Sequence, residues 1–128
     1  MNNREFSGIK NNSSLPSPEE IQAPADIGDL LVDYIDSTIS LLDELEKAAL
    51  EYEAGSNRQE TAAVIRRVLH KIKGESAMVG IEDMNQLCHH TEDGFEELSE
   101  KKRADMLLRF KDWASAAIYK LSEGTLHP

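Results

Sequence analysis

The sequence predicts an all-α fold, an antiparallel four-helix bundle with a disordered N-terminal leader. Three observations carry that expectation. From Asp26 onward apolar residues recur at helical spacing, glycines and prolines become sparse, and no stretch shows a strand pattern or a β-branched run. The connections between these amphipathic segments are also short, which favours antiparallel neighbours in a bundle.

The leader comes first. Residues 1–25 are rich in Asn, Ser, Pro and charge, with almost no apolar periodicity, and read as a disordered leader or linker. The first helix is expected from about Asp26 to Glu53, with a stripe of Leu31, Tyr34, Ile35, Thr38, Leu41, Leu42, Leu45, Ala48, Ala49 and Tyr52. Gly55 ends it. The second starts at Asn57, where Asn57-Arg58-Gln59-Glu60 has the form of a capping box, and runs to about Val79 with Gly80 as its stop. The third covers about Glu82 to Leu98, with Met84, Leu87, Cys88, Thr91, Phe95 and Leu98 on one face. Ser99 breaks or caps it. The fourth carries Met106, Leu107, Phe110, Trp113, Ala114, Ala117, Ile118 and Leu121. The bundle would thus occupy residues 26–122, with a short C-terminal tail at 123–128.

Composition narrows the function. A chain of 128 residues is one domain by size. Its 24 Asp and Glu against 14 Lys and Arg give a formal net charge of −10, which argues against nucleic acid or an anionic membrane as partner. The one cysteine, Cys88, rules out an intramolecular disulfide and suits a reducing cytosol. The N-terminus has no apolar signal core, and no apolar run reaches the roughly 20 residues of a membrane span. A cytoplasmic monomer is expected, since nothing in the pattern demands a dimer.

The chemistry concentrates on the second helix. At about 100° per residue, Val64, Ile65, Val68, Ile72 and Val79 cluster as a buried face. His70 falls on nearly the opposite side and should be exposed. Gly74 and Ala77, one and two turns on, are small and would let another protein approach closely. Between Arg58 and Lys73 stand five basic residues (Arg58, Arg66, Arg67, Lys71, Lys73) and one acidic, Glu60. A positive patch around an exposed histidine on an acidic protein suits a negatively charged ligand or partner surface.

A tight hairpin between the second and third helices would bring His89 and Glu92 to the flank bearing His70 and Lys73. An imidazole with a carboxylate on its protonated nitrogen keeps the other nitrogen free and basic, as a nucleophile requires. A neighbouring ammonium stabilises phosphoryl oxygens. Glu92 and Lys73 are the candidates for those two roles. The chain has no Gly-rich phosphate loop, so a phosphoryl group would come from one partner and go to another.

The stretch His70-Lys71-Ile72-Lys73-Gly74-Glu75-Ser76-Ala77-Met78-Val79-Gly80 resembles the signature of the histidine phosphotransfer (HPt) family. That signature is His, two residues, Lys-Gly, then a second Gly six residues later. Met84, Leu87, Cys88, His89 and Glu92 look like the next helix of the phosphotransfer domain of chemotaxis-type histidine kinases. The resemblance covers roughly Asp26 to Leu121. It implies that His70 is the phosphoacceptor through Nε2, that Glu92 holds its other nitrogen, and that Lys73 and His89 complete the network. It also implies a histidine kinase and a response-regulator receiver domain as partners, a phosphocarrier rather than an enzyme, and no cofactor. No kinase domain follows, so the expectation is a stand-alone relay protein or a piece of a larger kinase. Glu75 stands where the family usually has a small residue.

Other readings attach to the same residues. Arg66, Arg67, Leu69, Lys71, Gly74, Ala77 and Met78 are candidates for partner docking. Cys88, His89, His90 and Asp93 invite a metal site, disfavoured because a thiol on the apolar stripe cannot share ligands with outward groups; no metal is expected. His90 reads as solvated and Cys88 as a small buried hydrophobe. The rival from another class is a helical-bundle module that binds a receiver or other signalling partner without phosphorylation.

Overall fold

The computed structural model describes residues 4–126. Four helices form, α1 (Asp29–Ala54), α2 (Arg58–Val79), α3 (Glu82–Glu97) and α4 (Glu100–Leu126). α1 packs against α2 and α4, α2 against α3, and α3 against α4. The helices are antiparallel neighbours, as the short connections require. No helix among the described residues is long and apolar enough to cross a membrane.

The stripes expected on α1 and α4 are the ones buried, except that Leu31 at the start of α1 is only partly covered. Tyr34, Ile35, Thr38, Leu41, Leu42, Leu45, Ala48, Ala49 and Tyr52 of α1 meet Met106, Leu107, Phe110, Trp113, Ala114, Ala117, Ile118 and Leu121 of α4. Two glycines stop helices in left-handed geometry. Gly55 (φ +85) and Gly80 (φ +79) each begin a reversal, closed by Ser56 N–H on the Glu51 carbonyl and by Ile81 N–H on the Ser76 carbonyl.

Three local expectations need correction. α1 begins at Asp29 after Gly28, three residues later than expected. Asn57 forms no capping box, because its own φ of 47° and ψ of 50° are left-handed whereas a side-chain cap needs an extended backbone. α4 continues to Leu126, so the tail expected at 123–128 is helical as far as it is described, and residues 127–128 lie outside the described residues.

The largest correction concerns the leader. Residues 4–28 do not behave as a disordered tail; they strap the α3–α4 side of the bundle. Short 3₁₀ turns at Ser7–Ile9 and Pro18–Glu20 punctuate the strap. Phe6, Ile9 and Ile21 are buried. Phe6 meets Trp113 edge-on with ring centroids 5.2 Å apart, and the Trp113 indole N–H donates to the Pro16 carbonyl at 2.7 Å. Arg109 donates to the carbonyls of Gly8 and Ser13. Arg4 stands 2.7 Å from Asp83, whose carboxyl burial pushes above its ordinary range despite the guanidinium. These three apolar residues are spaced without a helical or strand period, so a search for periodicity passes over them.

Phe6→Ala should therefore lower stability by about 3–5 kcal/mol, the usual cost of emptying a buried aromatic site. Urea denaturation measures it. An unchanged midpoint would return the strap to the status of a dangling leader.

Candidate functional site

Seen from α2, the buried face consists of Thr61, Ala62, Ile65, Val68, Leu69, Ile72 and Ser76. The side chains flanking that stripe divide between two neighbours. Arg66, His70 and Lys73 lie on the side of α3, whereas Arg67 reaches α1. His70 is largely exposed, with 76% of its side chain open to solvent.

Gly80 turns the chain so tightly that α3 starts two residues later. A Cβ on Gly80 would also lie 2.8 Å from Pro24 of the strap, so both the positive φ and the close packing need glycine here. Asn85 then donates its amide to the Lys73 carbonyl at 3.2 Å, tying the first turns of α3 to α2. Sequence reasoning missed that bond; a lone Asn near a helix start carries no signal of its long-range acceptor.

This register brings Glu92 of α3 between two groups of α2. Its Oε1 stands 2.6 Å from Lys73 Nζ, and its Oε2 stands 3.5 Å from His70 Nδ1. The Lys73 contact is Coulombic rather than an aligned hydrogen bond, and both of its side chains are about three-quarters buried. The carboxylate thus faces Nδ1 and leaves Nε2 as the outward nitrogen. His89 lies on the rim of the same 580 Å³ concavity but is not drawn into that group. Its Nε2 is 3.6 Å from Asp93, and its ring meets His90 edge-on. Three of the four residues expected to share a network therefore assemble, and His89 stands beside them.

Four of the five cations of α2 are individually matched. Arg66 grips Glu96 through Nε at 2.7 Å and Nη2 at 3.0 Å, and lies 5.2 Å from the Phe95 ring centroid. The shared hydrogen bond holds the Glu96 carboxyl below its usual range and raises Arg66. Arg67 pairs with Glu44 of α1, and Arg58 with Glu100 of α4. The positive patch read from the sequence is accordingly a row of ion pairs. Lys71 is exposed and has no carboxylate partner among the described residues.

Several site expectations change. Leu69 was a docking candidate, but it is fully buried, because it sits only about 40° from Ile65 around the helix and so within the apolar stripe. His90 is not simply solvated; it is half-buried against the strap, its Nε2 3.9 Å from Glu5. Val64 and Val79 flank the core instead of centring it. Gly74, Ala77 and Met78 are all exposed, Met78 at 88%. Cys88 is fully buried while His89 and Asp93 face outward, and among the described residues no three metal-ligating groups converge.

Comparison with family models matches residues 29–118 to the model described as Hpt domain. Comparisons with curated proteins and with solved structures return no match.

Burial pushes both the Cys88 thiol and the Tyr34 hydroxyl well above their ordinary values. The unfolded chain releases a thiol proton near pH 8.5 that the folded chain keeps, so the unfolded state binds fewer protons and stability falls as pH rises beyond about 8.5. Tyr34 adds the same sign above about pH 10. Urea titrations from pH 7 to 10 should show this decline, and Cys88→Ala should flatten its first part.

Proposed function

This chain belongs to the Hpt domain family, and from that premise we propose that His70 carries the phosphoryl group of a two-component phosphorelay. Domains of this family are phosphocarriers in histidine phosphotransfer rather than catalytic enzymes, and they interact with receiver domains and histidine kinases. The reading rests on one observation above all: an exposed imidazole whose Nδ1 faces a carboxylate already anchored by an ammonium.

The chemistry follows. With Nδ1 protonated and turned toward Glu92, the Nε2 lone pair attacks phosphorus. The N–P bond forms as the bond from phosphorus to the donor's leaving oxygen breaks, and that oxygen keeps the electron pair. Positive charge appearing on the ring is met by Glu92. In the reverse direction a receiver aspartate attacks phosphorus and the imidazole leaves as the neutral form. Lys73 holds Glu92 in place and lines the same concavity as His70, where a cation can stabilise phosphoryl oxygens. The spacing of His70, Lys73, His89 and Glu92 supports a likeness to the phosphotransfer domain of chemotaxis-type kinases, with His89 entering only if its ring turns from Asp93.

The partner would dock on the open side of α2. A Cβ on Gly74 would meet nothing within 4 Å, so no internal packing explains a glycine there. A mid-helix glycine costs about 1 kcal/mol relative to alanine, and close approach of a partner gives a reason to tolerate it. Met78 and Leu30, 88% and 60% exposed, border a 240 Å³ groove between α1 and α2 and extend that surface with apolar area. Lys71, and Arg67 beside it, supply charge for an acidic receiver cleft.

Three measurements test this. Incubation with phosphoramidate should give an acid-labile, alkali-stable label on the protein and none on His70→Gln. Absence of label on the folded protein would leave the interaction-module reading. Gly74→Ala should raise stability by about 1 kcal/mol. Gly74→Gln should slow transfer from a protein partner much more than labelling by phosphoramidate, and equal effects on both would remove Gly74 from the docking surface.

A further inference from the structure

The concavity around His70 is charge-balanced before any phosphoryl group arrives. Lys73 is matched by Glu92, Arg66 by Glu96 and Arg67 by Glu44. A phosphoryl group adds close to two negative charges at neutral pH. Lys71, the unpaired cation next to His70, does not line the concavity, so one of the existing pairs must then open, or the added charge stays unanswered there.

The three pairs differ in how readily they exchange. Lys73 and Glu92 are mostly enclosed, and Glu92 is also needed at Nδ1. Arg67 points to α1, and Glu44 is not among the residues lining the concavity. Arg66 and Glu96 both line it, and each side chain is about half exposed, so parting them costs little. Arg66 lies one turn before His70 on α2, its guanidinium is steadied against Phe95, and its Nη1 has no partner among the described residues. A guanidinium fork fits phosphoryl oxygens as well as it fits a carboxylate.

We propose that Arg66 is a phosphoryl-binding residue that exchanges Glu96 for the phosphoryl oxygens once His70 is phosphorylated, with Glu96 competing for it. This rests on the phosphocarrier reading. No bond to phosphorus changes in the exchange: one two-pronged ion pair replaces another, and Glu96 is released to water. The competition keeps the phosphohistidine less stable than a free arginine clamp would, which favours onward transfer.

The test uses the full chain labelled with phosphoramidate, with the ³¹P shift followed against pH in 1 M salt. At that ionic strength the screening length is about 3 Å, so only a cation in contact still acts on the phosphoryl group. Arg66→Gln should raise the proton affinity of the phosphoryl oxygens by roughly two- to fivefold, and Glu96→Gln should lower it by a similar factor. Both variants break the same surface pair, so a merely structural role would move them together. Shifts of one sign, shifts that vanish in salt, or no shift would overturn the exchange. Failure of the wild-type chain to take label, or label persisting in His70→Gln, would instead overturn the phosphocarrier reading.

Discussion

At the end of α2 a single left-handed residue, Gly80, lets Ile81 N–H reach back to the Ser76 carbonyl at 2.9 Å and sends the chain straight into α3. From that reversal His70 lies ten residues back and Glu92 twelve residues on, roughly 15 and 18 Å along the two helices. The two side chains therefore stand at nearly the same height, on facing flanks. A looser loop would leave that register free to slip, and an imidazole and a carboxylate separated by one helical turn could not act on each other. Pro24 occupies the space beside Gly80 and reinforces the turn from outside.

Once the hairpin is set, electrostatics at the site become local. The chain as a whole is strongly acidic, yet four of the five cations of α2 are answered one by one by glutamates of α1, α3 and α4, Lys71 being the exception among the described residues. Such a surface attracts no polyanion by its field. It offers instead a set of short, individually matched ion pairs around His70.

The strap supplies what the four helices lack. α3 is the shortest helix, and its outer side is covered by residues 4–28. Phe6 and Ile9 complete the core there, and Gly94 admits Met106 and Lys10 so closely that a Cβ would lie 2.6 Å from the Met106 sulfur. Strap, α3 and α4 thus form one packed unit, and the helix carrying Glu92 is braced on the side away from His70.

Much was legible from the residues alone. Helical periodicity located all four helices, Gly55 and Gly80 marked two of their ends, and the spacing within α2 placed His70 outside, because these are one-dimensional properties of a 3.6-residue repeat. The Hpt family was legible too, since its signature lies within eleven consecutive residues. Only the tertiary structure decided which neighbour each flank of α2 meets. It turned the basic run into ion pairs and folded Phe6 onto Trp113. The physical reason is common to both: periodicity tells which way a side chain points from its own segment, whereas its partner depends on chain brought close from dozens of residues away.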